Sequence, residues 1–166
     1  MSNEYKDWLE DQKIEDAEML KKYPFLEARD SSGKKLGIMI DLEIPTGWMK
    51  LFYSLCDKVA EIVKIYNLED YYFVQVKEKF NELRVYPSDW GDENPAFSKL
   101  TDIYCFYEKV SQYTCAICGG DASWANATGY FFSVCDTDKA FYDASGCKYE
   151  WKKLPPLNFF VFLKKF

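Results

Sequence analysis

The chain has 166 residues, of which 48% are hydrophobic and 29% charged, and it carries a net charge of −6. That balance excludes a disordered chain and lacks the overall basic footprint of a general nucleic-acid binder. Histidine is absent, which excludes Ser–His and Cys–His nucleophile pairs and leaves thiolates and carboxylates as the candidate metal ligands.

Residues 3–22 read as a surface helix with a weak apolar stripe of Trp8, Ile14, Met19 and Leu20, stopped at Tyr23-Pro24 because proline disfavours helical geometry in the residue before it. Residues 25–45 read as extended, with Ser31-Ser32-Gly33 as the turn of a hairpin. Thr46 is an N-cap for a core helix running to about residue 67, on which Trp48, Leu51, Phe52, Leu55, Val59, Ile62, Val63 and Tyr66 recur at helical spacing. Cys56 adjoins that stripe and reads as a buried thiol.

The stretch YYFVQVKEKFNELRVYP alternates and predicts two paired strands. With Asn81-Glu82 as a two-residue turn, Val74, Val76, Phe80, Leu83 and Val85 share an apolar face on which Glu78 is the misfit. Gln75, Lys77, Lys79, Arg84 and Tyr86 share the other face. After the loop SDWGDENP, Asn94 caps a third helix with Pro95 at its first position. Its stripe of Phe97, Leu100, Tyr104, Tyr107 and Val110 extends to about residue 112.

The strongest chemical signal follows in TCAICGG. Cys115 and Cys118 have C-x-x-C spacing, and the glycines after them permit the close backbone approach that a metal-binding turn needs. Cys135, in SVCDTD, lies at a distance that lets a short hairpin return to the same ion, as in a zinc ribbon. Two residues compete for the fourth position: Asp138 by spacing, and Cys147 by the preference of structural zinc for sulfur. Cys115, Cys118, Cys135 and Cys147, or Asp138 in place of Cys147, are therefore the candidate ligands of a structural zinc. A metal-free knuckle and a redox pair are the alternatives. No βαβ pattern surrounds the C-x-x-C, which weighs against the redox pair.

Lys77, Lys79, Arg84 and Tyr86 are the candidate binding residues, able to grip phosphate or carboxylate groups; a solvated strand face is the simpler alternative. No catalytic residue is expected: the sequence holds no phosphate loop, no dinucleotide fingerprint and no nucleophile elbow. No leader pattern and no membrane-length apolar run appears, so the cysteines are expected in a reducing compartment. The aromatic share of 19% exceeds what one small core readily hides, and it points to rings at a partner surface or to an aromatic-rich core. The final stretch LPPLNFFVFLKKF reads as a last strand or a docking edge.

A helix opening at GW and passing through LC, then QVKEKF, LR and Y, then TC, CG and VC, resembles small proteins of phages and prophages with no assigned activity. The resemblance spans about Gly47 to Asp138, and Gln75–Phe80, Leu83, Arg84 and Tyr86 carry its most specific part. Two positions depart from the pattern: Asn81-Glu82, where the turn usually has glycine, and Asp138, where a cysteine usually closes the metal site. The resemblance implies a protein made in the cytoplasm of an infected bacterium.

These readings give an α+β fold: an antiparallel sheet packed by two core helices, with an appended zinc-ribbon-like knuckle. The expected segments are 1–45, 46–113, 114–147 and 148–166. The leading functional expectation is a non-enzymatic protein that binds and inhibits a host protein, a basic or nucleic-acid-binding one, such as an antiviral defence factor. The alternatives are a zinc-knuckle protein that binds nucleic acid directly and an aromatic-walled sponge for a nucleotide signal. No membrane partner is expected.

Overall fold

The structure, a computed structural model, describes residues 15–88, 94–146 and 148–157. The expected N-terminal helix is present over 15–22 as α1; residues 1–14 lie outside the described residues. Tyr23 ends it, with its ring buried and its hydroxyl donating to Asp57 Oδ1 at 2.7 Å.

Two long helices carry the core. On α2 (Met49–Ile65) the residues Phe52, Leu55, Cys56 and Val59 are all buried, as their spacing requires. On α3 (Pro95–Ser111) Asn94 Oδ1 accepts from Ala96 N–H at 2.9 Å and Pro95 opens the first turn, so this cap forms as expected. Thr46 does not cap α2. It begins a 3-10 turn over Thr46–Trp48, and α2 starts without a side-chain cap, because Gly47 and Trp48 are engaged elsewhere, as described below.

β1 (Glu27–Arg29) and β2 (Lys35–Met39) form the expected hairpin. Its turn is held by Asp30 Oδ1, which accepts from the backbone N–H groups of Ser32 and Lys34. A second sheet has the order β3-β4-β5, from β3 (Leu42–Glu43), β4 (Phe73–Lys79) and β5 (Glu82–Pro87). β4 and β5 are antiparallel, and β3 adds to them in parallel.

The hairpin turn lies one residue earlier than expected, so each β4 residue pairs two residues earlier on β5. Lys79 pairs with Glu82, Glu78 with Leu83, Lys77 with Arg84 and Val76 with Val85, so the turn is Phe80-Asn81 and not Asn81-Glu82. Both turn residues have positive φ, 55° and 62°, which is the primed geometry that matches strand twist. Phe80 therefore leaves the apolar face and is 71% exposed. Val74 leaves it too, because the register shifts between Phe73 and Gln75 and turns Phe73 inward. Glu78 stays on the inner side at its margin, accepting from Asn81 N–H at 2.6 Å.

β5 is an edge strand, and α3 covers that edge. Leu83 N–H donates to the buried Ser111 Oγ at 2.8 Å, and Ser111 donates in turn to Glu108 O. This satisfies a backbone donor that an open edge would leave available for pairing with another chain.

The appended unit is a small antiparallel sheet of order β7-β6-β8, from β6 (Trp124–Asn126), β7 (Ser133–Val134) and β8 (Trp151–Lys153), with helix α4 (Asp136–Ala144) beside it. The α+β architecture with a ribbon-like knuckle is thus present. The apolar run expected as a last strand falls mostly in 158–166, outside the described residues.

The knuckle docks on the core through the residues that open the α2 region. Gly47 N–H donates to Ala116 O at 3.0 Å, and the fully buried Trp48 donates through Nε1 to Thr114 O at 3.0 Å. A Cβ on Gly47 would lie 2.4 Å from Cys115 O, so only glycine permits this approach. The buried Asn81 Nδ2 also donates to Ser133 Oγ at 2.6 Å, tying the hairpin tip to β7.

Candidate metal centre

Each ligand is placed by a local rule. Cys115 and Cys118 sit in a tight turn closed by Cys115 N–H to Gly120 O at 2.7 Å and Gly119 N–H to Cys115 O at 3.0 Å, with Gly119 at φ 77°. Ala116 N–H donates to Ser133 O at 2.9 Å, which brings β7 and the following Cys135 alongside. Cys135 is the N-cap of α4 and its Sγ accepts from Asp138 N–H at 3.5 Å. Cap and third helical residue lie together on one turn, which puts the Asp138 carboxylate beside Cys135. Asp136 and Asp138 in that first turn also suit the positive end of the helix dipole.

The ligand atoms of Cys115, Cys118, Cys135 and Asp138 all lie within 4.8 Å of one another. Cys118 Sγ and Cys135 Sγ are 3.8 Å apart, which equals the sulfur–sulfur edge of about 3.8 Å that tetrahedral zinc with its usual Zn–S bonds demands. Asp138 Oδ2 is 3.0 Å from Cys115 Sγ and 3.2 Å from Cys135 Sγ. The matching sulfur–oxygen edge around zinc is about 3.6 Å, so the oxygen needs to withdraw by only a fraction of an ångström. Burial pushes the Cys115 thiol up, aided by the Asp138 carboxylate and opposed by backbone N–H groups of Cys118, Cys135 and Ile117. Hydrogen bonds from the Cys115 and Cys135 thiols hold the Asp138 carboxyl below its ordinary value. This is a Cys3Asp site capable of coordinating a metal ion, and its donors and edges suit structural zinc. Of the two residues that competed for the fourth position, the structure brings Asp138 to the site; Cys147 lies outside the described residues. Comparison with family models, with curated proteins and with solved structures finds no match for this chain.

The candidate binding residues share one sheet face, as expected, but not one role. Lys77 Nζ lies 5.2 Å from the Tyr86 ring and Lys79 Nζ 5.7 Å from the Phe80 ring. Arg84 is held internally. It pairs with Glu82, and with Glu108 at 3.3 Å, while Glu82 also takes Lys109 Nζ at 3.0 Å and Gln112 Nε2. That ion-pair network removes Arg84 from the set offered to a ligand. Cys56 is the buried thiol expected, its acidity suppressed chiefly by burial.

Three features carry no signal in the sequence pattern alone. Trp124 and Trp151 flank Lys139 on the knuckle. Ser111 closes an edge strand from a distant helix. A groove of about 600 Å³ runs between the knuckle and β3, lined by Ile44, Pro45, Ile117, Tyr130, Phe132 and Tyr149 among others. Among the described residues no helix is long and apolar enough to cross a membrane.

Proposed function

We propose that this chain is a non-catalytic recognition module, in which zinc held by Cys115, Cys118, Cys135 and Asp138 stiffens a knuckle, and that its ligand is single-stranded nucleic acid. The observation that carries the reading is the four-donor cluster with a zinc-sized sulfur–sulfur edge. The sheet face beside it offers the two requirements of single-strand binding, cations and exposed rings. Lys77 and Lys79 supply charge, Tyr86 and Phe80 supply stacking surfaces, and Phe80 stands out from a turn that also docks on the knuckle. Because the chain as a whole is acidic, binding is confined to this face. The test is anisotropy of a labelled single-stranded oligonucleotide with zinc-loaded protein across a salt series. Affinity falls with salt, and replacing Lys77 and Lys79 with alanine lowers the slope by about 1.4, at about 0.7 per phosphate contact. Failure to retard either DNA or RNA at low salt removes the reading.

A second reading, a phage-type protein that binds and inhibits a host protein, is favoured by a different observation. Ile117, Tyr130, Phe131 and Phe80 are large apolar residues left exposed on the knuckle and hairpin tip. β3 beside the groove is an edge strand able to accept an extended segment. The charge of −6 suits a basic partner. A pull-down from bacterial lysate that recovers no stoichiometric protein counts against it.

A further inference from the structure

The fourth ligand rides on a helix that its own sequence cannot hold in place. α4 has nine residues and none of them is buried, and a helix of that length is marginal in isolation. Tyr142 packs it against Phe132, Tyr149 and Trp151, and a clamp on the side that faces β6 and β8 fixes the turn carrying Asp138. Lys139, next in sequence to Asp138, places Nζ 5.0 Å from the Trp124 ring and 5.9 Å from the Trp151 ring. The same ammonium pairs with Asp143 Oδ2 at 2.6 Å, and the Lys139 side chain is only 23% exposed. Each indole is tethered to α4 in turn. Trp124 Nε1 donates to Asp136 Oδ1 at 2.7 Å and Trp151 Nε1 donates to Asp143 Oδ1 at 2.9 Å. Lys153 Nζ, on β8, lies 5.9 Å from the Trp124 ring. The helix is thus stitched to β6 and β8 at Asp136, Lys139 and Asp143, and Asp138 lies between the first two.

We propose that Lys139, caged by Trp124 and Trp151, is the positioning residue that holds the Asp138 carboxylate on the metal. The inference rests on the zinc-knuckle reading and adds to it. A carboxylate needs more help than a thiolate here, because structural zinc prefers sulfur and nitrogen.

The experiment is competition between the full chain, reduced and freed of metal, and a chelator for cobalt(II) or zinc, with the cobalt ligand-field spectrum recorded alongside. Lys139→Met weakens metal binding about 10–100-fold, as loss of a ligand's supporting partner does, and shifts the cobalt spectrum toward that of Asp138→Asn. Lys139→Arg, which keeps the cation over the rings, stays within about 3-fold of the parent. In an Asp138→Asn background the further change to methionine weakens binding by less than about 2-fold, because the group through which Lys139 acts is gone. Parent-like affinity and spectrum for Lys139→Met overturn the proposal. So does an equal loss in both backgrounds, which assigns Lys139 a general structural role. If the parent chain itself takes up neither cobalt nor zinc, the metal reading fails, and with it this one.

Discussion

Replacing Gly47 with alanine tests how the knuckle is fastened to the core. The added Cβ would lie 2.4 Å from Cys115 O and 2.8 Å from both Ala116 C and Ala116 O. All three are backbone atoms, so no side chain can rotate away, and the knuckle turn itself has to retreat. Gly119 faces the same contact from the other side, where a Cβ would lie 2.5 Å from Gly47 O. Retreat stretches two hydrogen bonds now at 3.0 Å, Gly47 N–H to Ala116 O and Trp48 Nε1 to Thr114 O. Overpacking of this kind costs about 1–3 kcal/mol, and each weakened bond adds about 0.5–1.5 kcal/mol. A loss of about 2–6 kcal/mol lowers the melting temperature of a chain this long by about 4–24 °C. Differential scanning fluorimetry of the zinc-loaded protein measures it, and metal affinity falls in parallel because Cys115 moves with the turn. Gly47 has no positive φ, so an alanine that found room would stabilise by about 0.4–1 kcal/mol through the unfolded chain. An unchanged or raised melting temperature therefore refutes the docking argument.

Ser111→Ala leaves the buried Leu83 N–H without its acceptor, a loss of about 1–3 kcal/mol; faster hydrogen exchange at the Leu83 amide is the site-specific readout. Phe80→Gly relieves a left-handed residue at φ 55°, where the strain of about 1–2 kcal/mol exceeds the entropy glycine adds to the unfolded chain. It is expected to raise the melting temperature slightly while weakening oligonucleotide binding, and a gain in both would separate Phe80 from the binding face. Chelation of the metal is expected to speed exchange at β6 and β7 amides while those of Leu55 and Val59 stay protected, because the α2–α3 core packs independently of the ligands. Alkali should destabilise the fold through its tyrosines. Burial raises Tyr23 and Tyr71. The fold prefers the protonated phenols, so their contribution is complete below about pH 10 and is lost as pH rises through the folded values. Tyrosinate absorbance that tracks unfolding for these two, instead of preceding it, bears this out; free titration of all tyrosines near pH 10 does not.

What could be read from the chain depended on whether the deciding contact was local. The α2 stripe, the Asn94 cap and the C-x-x-C turn each follow from spacing within a few residues, and each forms. The hairpin register failed where a local preference opposed a distant contact. A bulky aromatic at positive φ is disfavoured, so Phe80 reads as a strand residue. The register is decided instead by Glu82, buried under Arg84, Lys109 and Gln112, and by Asn81, docked on Ser133. The fourth ligand is an intermediate case. Cys135 and Asp138 share one helical turn, which spacing shows, but the clamp that orients the turn comes from Trp124 and Trp151.

The way the two parts join links the metal site to the proposed binding face. The knuckle's own buried core is small, built on Cys115, Ala116, Phe132 and Val134, and two of its flanking elements are strands of two or three residues. Such a unit gains its order from the ion and from docking. Docking uses two segments of the core: the Gly47-Trp48 segment holds the cysteine turn, and Asn81 holds β7. The rings of Phe80 on the hairpin tip and of Tyr130 and Phe131 on the knuckle are exposed. A shift of the knuckle by an ångström consequently changes the spacing between the hairpin's cations and the knuckle's rings without touching any of them. In the proposed reading, zinc would set the geometry of the binding face by holding Cys115 and Cys135 at one point, and the Lys139 clamp would determine how firmly Asp138 completes that hold.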